Sequence, residues 1–237
     1  MSRPEHKAGR GFPACGSNPS WRKAQCSPSP KRFSAMRYPE FFDEAPRITM
    51  FDPLARFLGA TEGGIIEYRY VDAVKAAGHS CPTVASAWLM TIRALEALYP
   101  KDLPERGAIR VDFRHESTSG VTGVIANIVT LVTGATHDTG FKGLAGRYDR
   151  RNLLFFNATV PEEIRFTRKD TGAAVDVAAH LEHVPSAPHV GEMMAACITG
   201  RADDATQREF GRLWQERVRR ILLEHARDPQ VIVVRAA

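Results

Sequence analysis

Hydrophobic positions along the chain recur with periods that mark out its elements. Ile66, Tyr68 and Tyr70 alternate with Glu67 and Arg69, a period of two that predicts a half-buried strand. Val71 to Ala77 predicts one or two helical turns closed by Gly78, a residue suited to a left-handed helix stop. From Pro82 to Leu98 the stripe Val84, Trp88, Ile92 and Leu95 is flanked by Ala85, Ala87 and Leu89, and polar residues are scarce before Arg93. A helix apolar on most sides is a central, buried one. Ile109, Val111 and Phe113 alternate with Arg110 and Asp112 and predict a second strand, after which Arg114, His115 and Glu116 bring polar groups to the strand end.

Val121 to Thr133 carries two signals. Its Val, Ile and Thr content suits a strand, while Val124, Ile125, Ile128, Val129 and Val132 recur at helical spacing. The spacing is the better guide, and a buried helix between Gly120 and Gly134 is expected. Thr136 to Arg151 is a glycine-punctuated polar loop holding His137 and Asp138, and Leu153 to Asn157 a short strand. Ile164–Arg168 and Ala174–Ala178, joined around Asp170-Thr171-Gly172, predict a hairpin. Helices follow from Val190 to Ile198 and, behind an Asp204/Gln207 capping box, on to His225, with a final strand over Val231–Val234. Short helices are expected at Pro39–Phe42 and Pro53–Leu58.

Residues 1–35 read differently. They are rich in Ser, Pro, Gly and basic residues, a composition that buries too little apolar surface to offset the entropy of ordering. A disordered basic tail is expected; a sharper reading starts translation at Met36 or Met50, and an organelle-targeting leader is the third. The tail holds seven Lys or Arg against Glu5, so the formal charge of +5 belongs to it, and the rest of the chain is near neutral. Nucleic acid is therefore not the expected partner of the domain at 36–237. No apolar run approaches the roughly 20 residues that cross a bilayer, and no membrane contact is expected. Four scattered cysteines, Cys15, Cys26, Cys81 and Cys197, make no disulfide framework and suit a reducing cytoplasm.

The chemistry concentrates at Gly78-His79-Ser80-Cys81-Pro82. Pro82 is comfortable at the first helical position, which makes Cys81 the expected N-cap, its sulfur beside free N–H groups and the positive end of the helix dipole. An imidazole two residues away adds a second donor. This suits a metal ion or a reactive thiolate. A buried cysteine at a helix start is also commonly just a small apolar residue.

Here the chain resembles the FmdE family, named for the E subunit associated with molybdenum formylmethanofuran dehydrogenase. That family has a His-x-Cys-Pro-Gly segment opening a helix; this chain has Thr83 in place of the glycine. The family's second segment, Cys-x-x-Asp-Ala-Ile then Gly-Cys-Thr and a Gly-Lys-Gly-like loop, corresponds to Val124–Asn127, Thr133–Thr136 and Phe141–Gly143. Both cysteines of that segment are replaced, by Val124 and Ala135, and its aspartate is Asn127. The resemblance spans about residues 60–157 and implies an α+β fold, a mostly antiparallel sheet covered by helices in a FwdE/GAPDH-like arrangement. It implies a metal-binding protein, an accessory to one-carbon or metalloenzyme metabolism. The expected divalent metal is zinc, held by His79 and Cys81, with His137 added as a third ligand by our own inference. Cys81, Glu116 and Asp138 are the candidate catalytic groups, the two acids as proton acceptors. The alternatives are a non-catalytic interaction subunit with a degenerate site, or thiol chemistry at Cys81 with His79 as base; a haem-linked Cys-Pro ranks last. A homodimer and a metalloenzyme partner are the associations this reading admits.

Overall fold

The computed structural model describes residues 37–237, so the expectations for the basic tail, including Cys15, Cys26 and a start at Met36, lie outside the described residues. The first elements are α1 (Phe41–Glu44), β1 (Ile48–Phe51), α2 (Pro53–Leu58), β2 (Ile65–Tyr68) and α3 (Tyr70–Ala77). Then come α4 (Pro82–Leu98), β3 (Ile109–Phe113), α5 (Thr122–Thr133) and β4 (Leu154–Phe155). The chain closes with β5 (Ile164–Arg168), β6 (Ala174–Ala179), α6 (Val190–Ile198), α7 (Asp204–Arg219) and β7 (Ile232–Ala236).

The fold is α+β. β1 and β2 form a small antiparallel pair, with Ile48 opposite Tyr68. The main sheet has the order β4-β3-β5-β6-β7. It is mixed: β3 and β4 run parallel, the other neighbours antiparallel. The parallel pair follows from connectivity, because α5 and the polar loop carry the chain back to the end where β3 began.

The sheet's two faces differ in chemistry. Ile109, Val111 and Phe113 with Ile164, Phe166, Val175 and Val177 join the hydrophobic core, where α4 packs on β5, β6 and β7 and against α5. On alternate residues the opposite face carries carboxylates spanned by arginines, Arg110 to Asp112 at 2.7 Å and Arg165 to Asp176 at 2.8 Å. Asp112 and Asp176 are buried beneath those guanidiniums, which supply the charge and hydrogen bonds a desolvated carboxylate needs.

α4 is the centre of the molecule. It spans the residues its pattern predicts and is buried over most of its surface, Trp88 included, with Arg93, Glu96 and Ala97 on its one outer strip. Each large apolar side chain so buried contributes on the order of 1.5–3 kcal/mol. Three of its buried polar side chains find partners internally or close by: Ser86 and Thr91 donate to Thr83 O and Ala87 O, and Trp88 Nε1 to Pro46 O.

Three local readings shift. Tyr70 opens α3 rather than ending β2, because the Asp72 carboxylate accepts from the Arg69 N–H at 2.9 Å and starts the helix there. Asp203, not Asp204, caps α7, its Oδ1 accepting from Thr206 N at 2.7 Å. β1, with Ile48 and Met50 buried, was not anticipated from the pattern; at four residues it is too short for alternation to stand out. Among the described residues no helix is long and apolar enough to cross a membrane.

Candidate functional site

Gly78 takes φ +75°, the left-handed stop expected of it, and releases the chain into a three-residue turn before α4. Cys81 is extended (φ −149°) and caps α4, its Sγ accepting from the Val84 N–H at 3.4 Å. Pro82 occupies the first helical position. The sulfur is half-buried at the positive end of a 17-residue helix. His79 is exposed, and its Nδ1 lies 3.0 Å from Ala77 O. With the proton on Nδ1 as donor to that carbonyl, Nε2 keeps its lone pair for a ligand.

Ser80, the residue between them, is the anchor of the turn. Its Oγ donates to Gln215 Oε1 at 3.0 Å and stands 3.0 Å from the Tyr70 hydroxyl. Its carbonyl accepts from Trp214 Nε1 and Gln215 Nε2. Burial drives the Tyr70 phenol far above its ordinary pKa, with the Ser80 hydrogen bond acting the other way and the nearby Cys81 adding to the rise. Tyr70 therefore remains a neutral hydroxyl beside the thiol.

The turn's place in the fold follows from the two ends of α4. Leu98 O, at the carboxyl end, accepts from Arg168 at the end of β5, at 2.9 Å. The helix is about 25 Å long, so Cys81 rises at the other end of the sheet, where β5 begins and β3 and β6 finish. α7 confirms the placement. Two residues beyond Gln215, Arg217 donates to Leu181 O and Val184 O, just past β6.

That end of the sheet also holds a cleft lined by His115, Glu163 and His180 and by the first turn of α5. Burial pushes the Glu163 carboxyl above the usual range, and the charges of His115 and His180 oppose this. Glu163 was not singled out from the sequence; next to Glu162 at a strand start it has no pattern to mark it. Glu116 is exposed on the turn leading to α5, where its carbonyl accepts from Ser119 N.

His137 and Asp138 lie in the loop beside β4. His137 is exposed, its Nδ1 is 3.1 Å from Asp138 Oδ1, and its ring lies 6.2 Å from that of Phe156. The hydrogen bond from His137 lowers the pKa of the exposed Asp138 carboxyl. Among the described residues no three His, Cys, Asp or Glu side chains are grouped to hold a metal ion. The structure thus places His79 and Cys81 on one turn and does not gather them with His137 into a ligand set.

No protein-family model matches the chain, and no curated protein matches it in sequence.

Proposed function

We propose that the chain is an FmdE-like domain whose working site is the His79–Cys81 turn, a two-donor site for a soft divalent metal ion, zinc first. The observation that carries this reading is Cys81, a half-buried residue whose sulfur caps α4, on a turn held at Ser80 by α3 and α7. Support comes also from His79, whose bond to Ala77 O leaves Nε2 free to ligate. Sulfur and imidazole nitrogen are donors that zinc accepts, yet two are fewer than the three or four protein ligands of ordinary zinc sites. No catalytic step is therefore assigned through a metal. The FwdE/GAPDH-like form of the fold, a homodimer, a metalloenzyme partner and a cytoplasmic location belong to the same proposal and rest on the sequence resemblance.

The test is metal retention by the purified full chain after equilibration with zinc. Cys81→Ser and His79→Ala should each lower bound zinc at least tenfold, and His137→Ala should leave it unchanged. Stoichiometric zinc in both of the first two variants would move the site elsewhere. If the native chain holds no zinc and Cys81 is alkylated rapidly by iodoacetamide at neutral pH, the thiol reading replaces the metal one.

A further inference from the structure

A second cleft, of about 680 Å³, opens far along the sequence from the His79–Cys81 turn, between the Tyr99–Ala108 link, the Gly146–Arg150 segment and the end of β5. Behind it lies a buried ionic cluster. Asp52 accepts from Arg150 Nη2 at 2.7 Å and from Arg106 Nη1 at 3.2 Å. Two guanidiniums share this one carboxylate, Arg150 buried and Arg106 partly exposed, and the charge of Glu105 also acts on Arg150.

Its donors are not all used. Among the described residues six buried side-chain nitrogen or oxygen atoms lack a hydrogen-bond partner, and four belong to residues that line this one cleft: Arg150 Nε and Nη1, Arg106 Nε and the Tyr99 hydroxyl. Arg150 is only 4% exposed. Its guanidinium lies over Gly107, where a Cβ would come within 1.7 Å of Nη1. Gly107 adopts φ +89°, so glycine there serves both the backbone and the arginine. Buried donors without acceptors are costly, and a cluster of them calls for water or an ion. Burial raises the Tyr99 phenol above its ordinary pKa, so it is a neutral donor at physiological pH. At the rim, Asp149 and Asp170 are each engaged by an arginine, Arg151 and Arg168. Arg147, Lys169, Asp102 and Glu105 also line the cleft.

We propose that this cleft binds the phosphate group of a small phosphorylated molecule, which accepts hydrogen bonds from Arg150 and the Tyr99 hydroxyl. A phosphate offers the acceptors that the four donors lack.

Inorganic phosphate and pyrophosphate, titrated into the full chain by calorimetry at fixed ionic strength with chloride as control, test the assignment. Saturable binding is expected. Tyr99→Phe, which removes one hydroxyl and little volume, should weaken it about tenfold, the equivalent of one hydrogen bond to a charged group. Lys169→Ala should weaken it less, and Cys81→Ser not at all, which separates this result from the fate of the metal site. Absence of saturable binding, or equal binding by Tyr99→Phe and the native chain, would overturn the proposal and leave the donors to buried water.

Discussion

The start of α4 and the Asp52 cluster are both polar sites set against the core, and they are built in opposite ways. The first is a sequence-local turn, three residues long, with His79 exposed and Cys81 half-buried, whose middle residue ties it to α3 and α7. The second joins residues 54 and 98 positions apart, with Asp52 and Arg150 buried. A local turn keeps its shape from its own φ values and cap, so its reactive groups can stay exposed. A long-range ion cluster exists only when the whole chain is folded, and each member depends on the others. The two sites should therefore respond differently to substitution.

The largest expected effect is Asp52→Ala. It leaves Arg150 and Arg106 without their anion and removes the acceptor of the Leu54 and Ala55 N–H groups that start α2. A loss of about 3–5 kcal/mol is expected from such an uncompensated buried charge, read by urea denaturation. Burial alone would raise the Asp52 pKa, but the Arg150 charge, the two N–H bonds and Arg106 outweigh it and lower the value. A depressed carboxyl stabilises the fold fully above its unfolded pKa, and that contribution fades as the pH falls through the folded value. The gap between native chain and variant should accordingly narrow on acidification below about pH 4. A gap independent of pH would show that packing, not charge, holds this cluster.

Ser80→Ala probes the other region. It removes the hydroxyl bonds to Gln215 and Tyr70 while leaving the Ser80 carbonyl held by α7. A cost of about 1–2 kcal/mol is expected, with Cys81 alkylated faster by iodoacetamide as the turn loosens. An unchanged alkylation rate would mean that the cap and Gly78 alone fix the turn. The smallest effect is expected at Glu163, at the same end of the sheet. Its raised pKa means that ionisation opposes folding, so stability is lost as the pH rises from the unfolded value through the folded one. Glu163→Gln should gain about 0.5 kcal/mol at neutral pH and nothing at pH 3. A destabilised variant at pH 7 would assign the carboxylate a needed partner.

The site at α4 was readable because its signals are local. Gly78, Cys81 and Pro82 announce a helix stop, a cap and a first turn through backbone chemistry that needs no distant partner. A third ligand is beyond such local signals. Linking His137 to Cys81 requires a distance across the fold, and among the described residues no three such donors are grouped. Ser80 gave no signal either, since its partners Trp214 and Gln215 lie more than 130 positions away.

By itself the sequence determined the principal helices and strands, the central place of α4, the β5–β6 turn and the cap at Cys81, because periodicity and capping are properties of short stretches. Only the tertiary structure decided the parallel return of β4 beside β3, the tie from Ser80 to α7, the raised Glu163 and the ion cluster of Asp52 with Arg106 and Arg150. Each of these depends on desolvation or pairing between remote segments, and burial is a property of the assembled chain rather than of any residue in it.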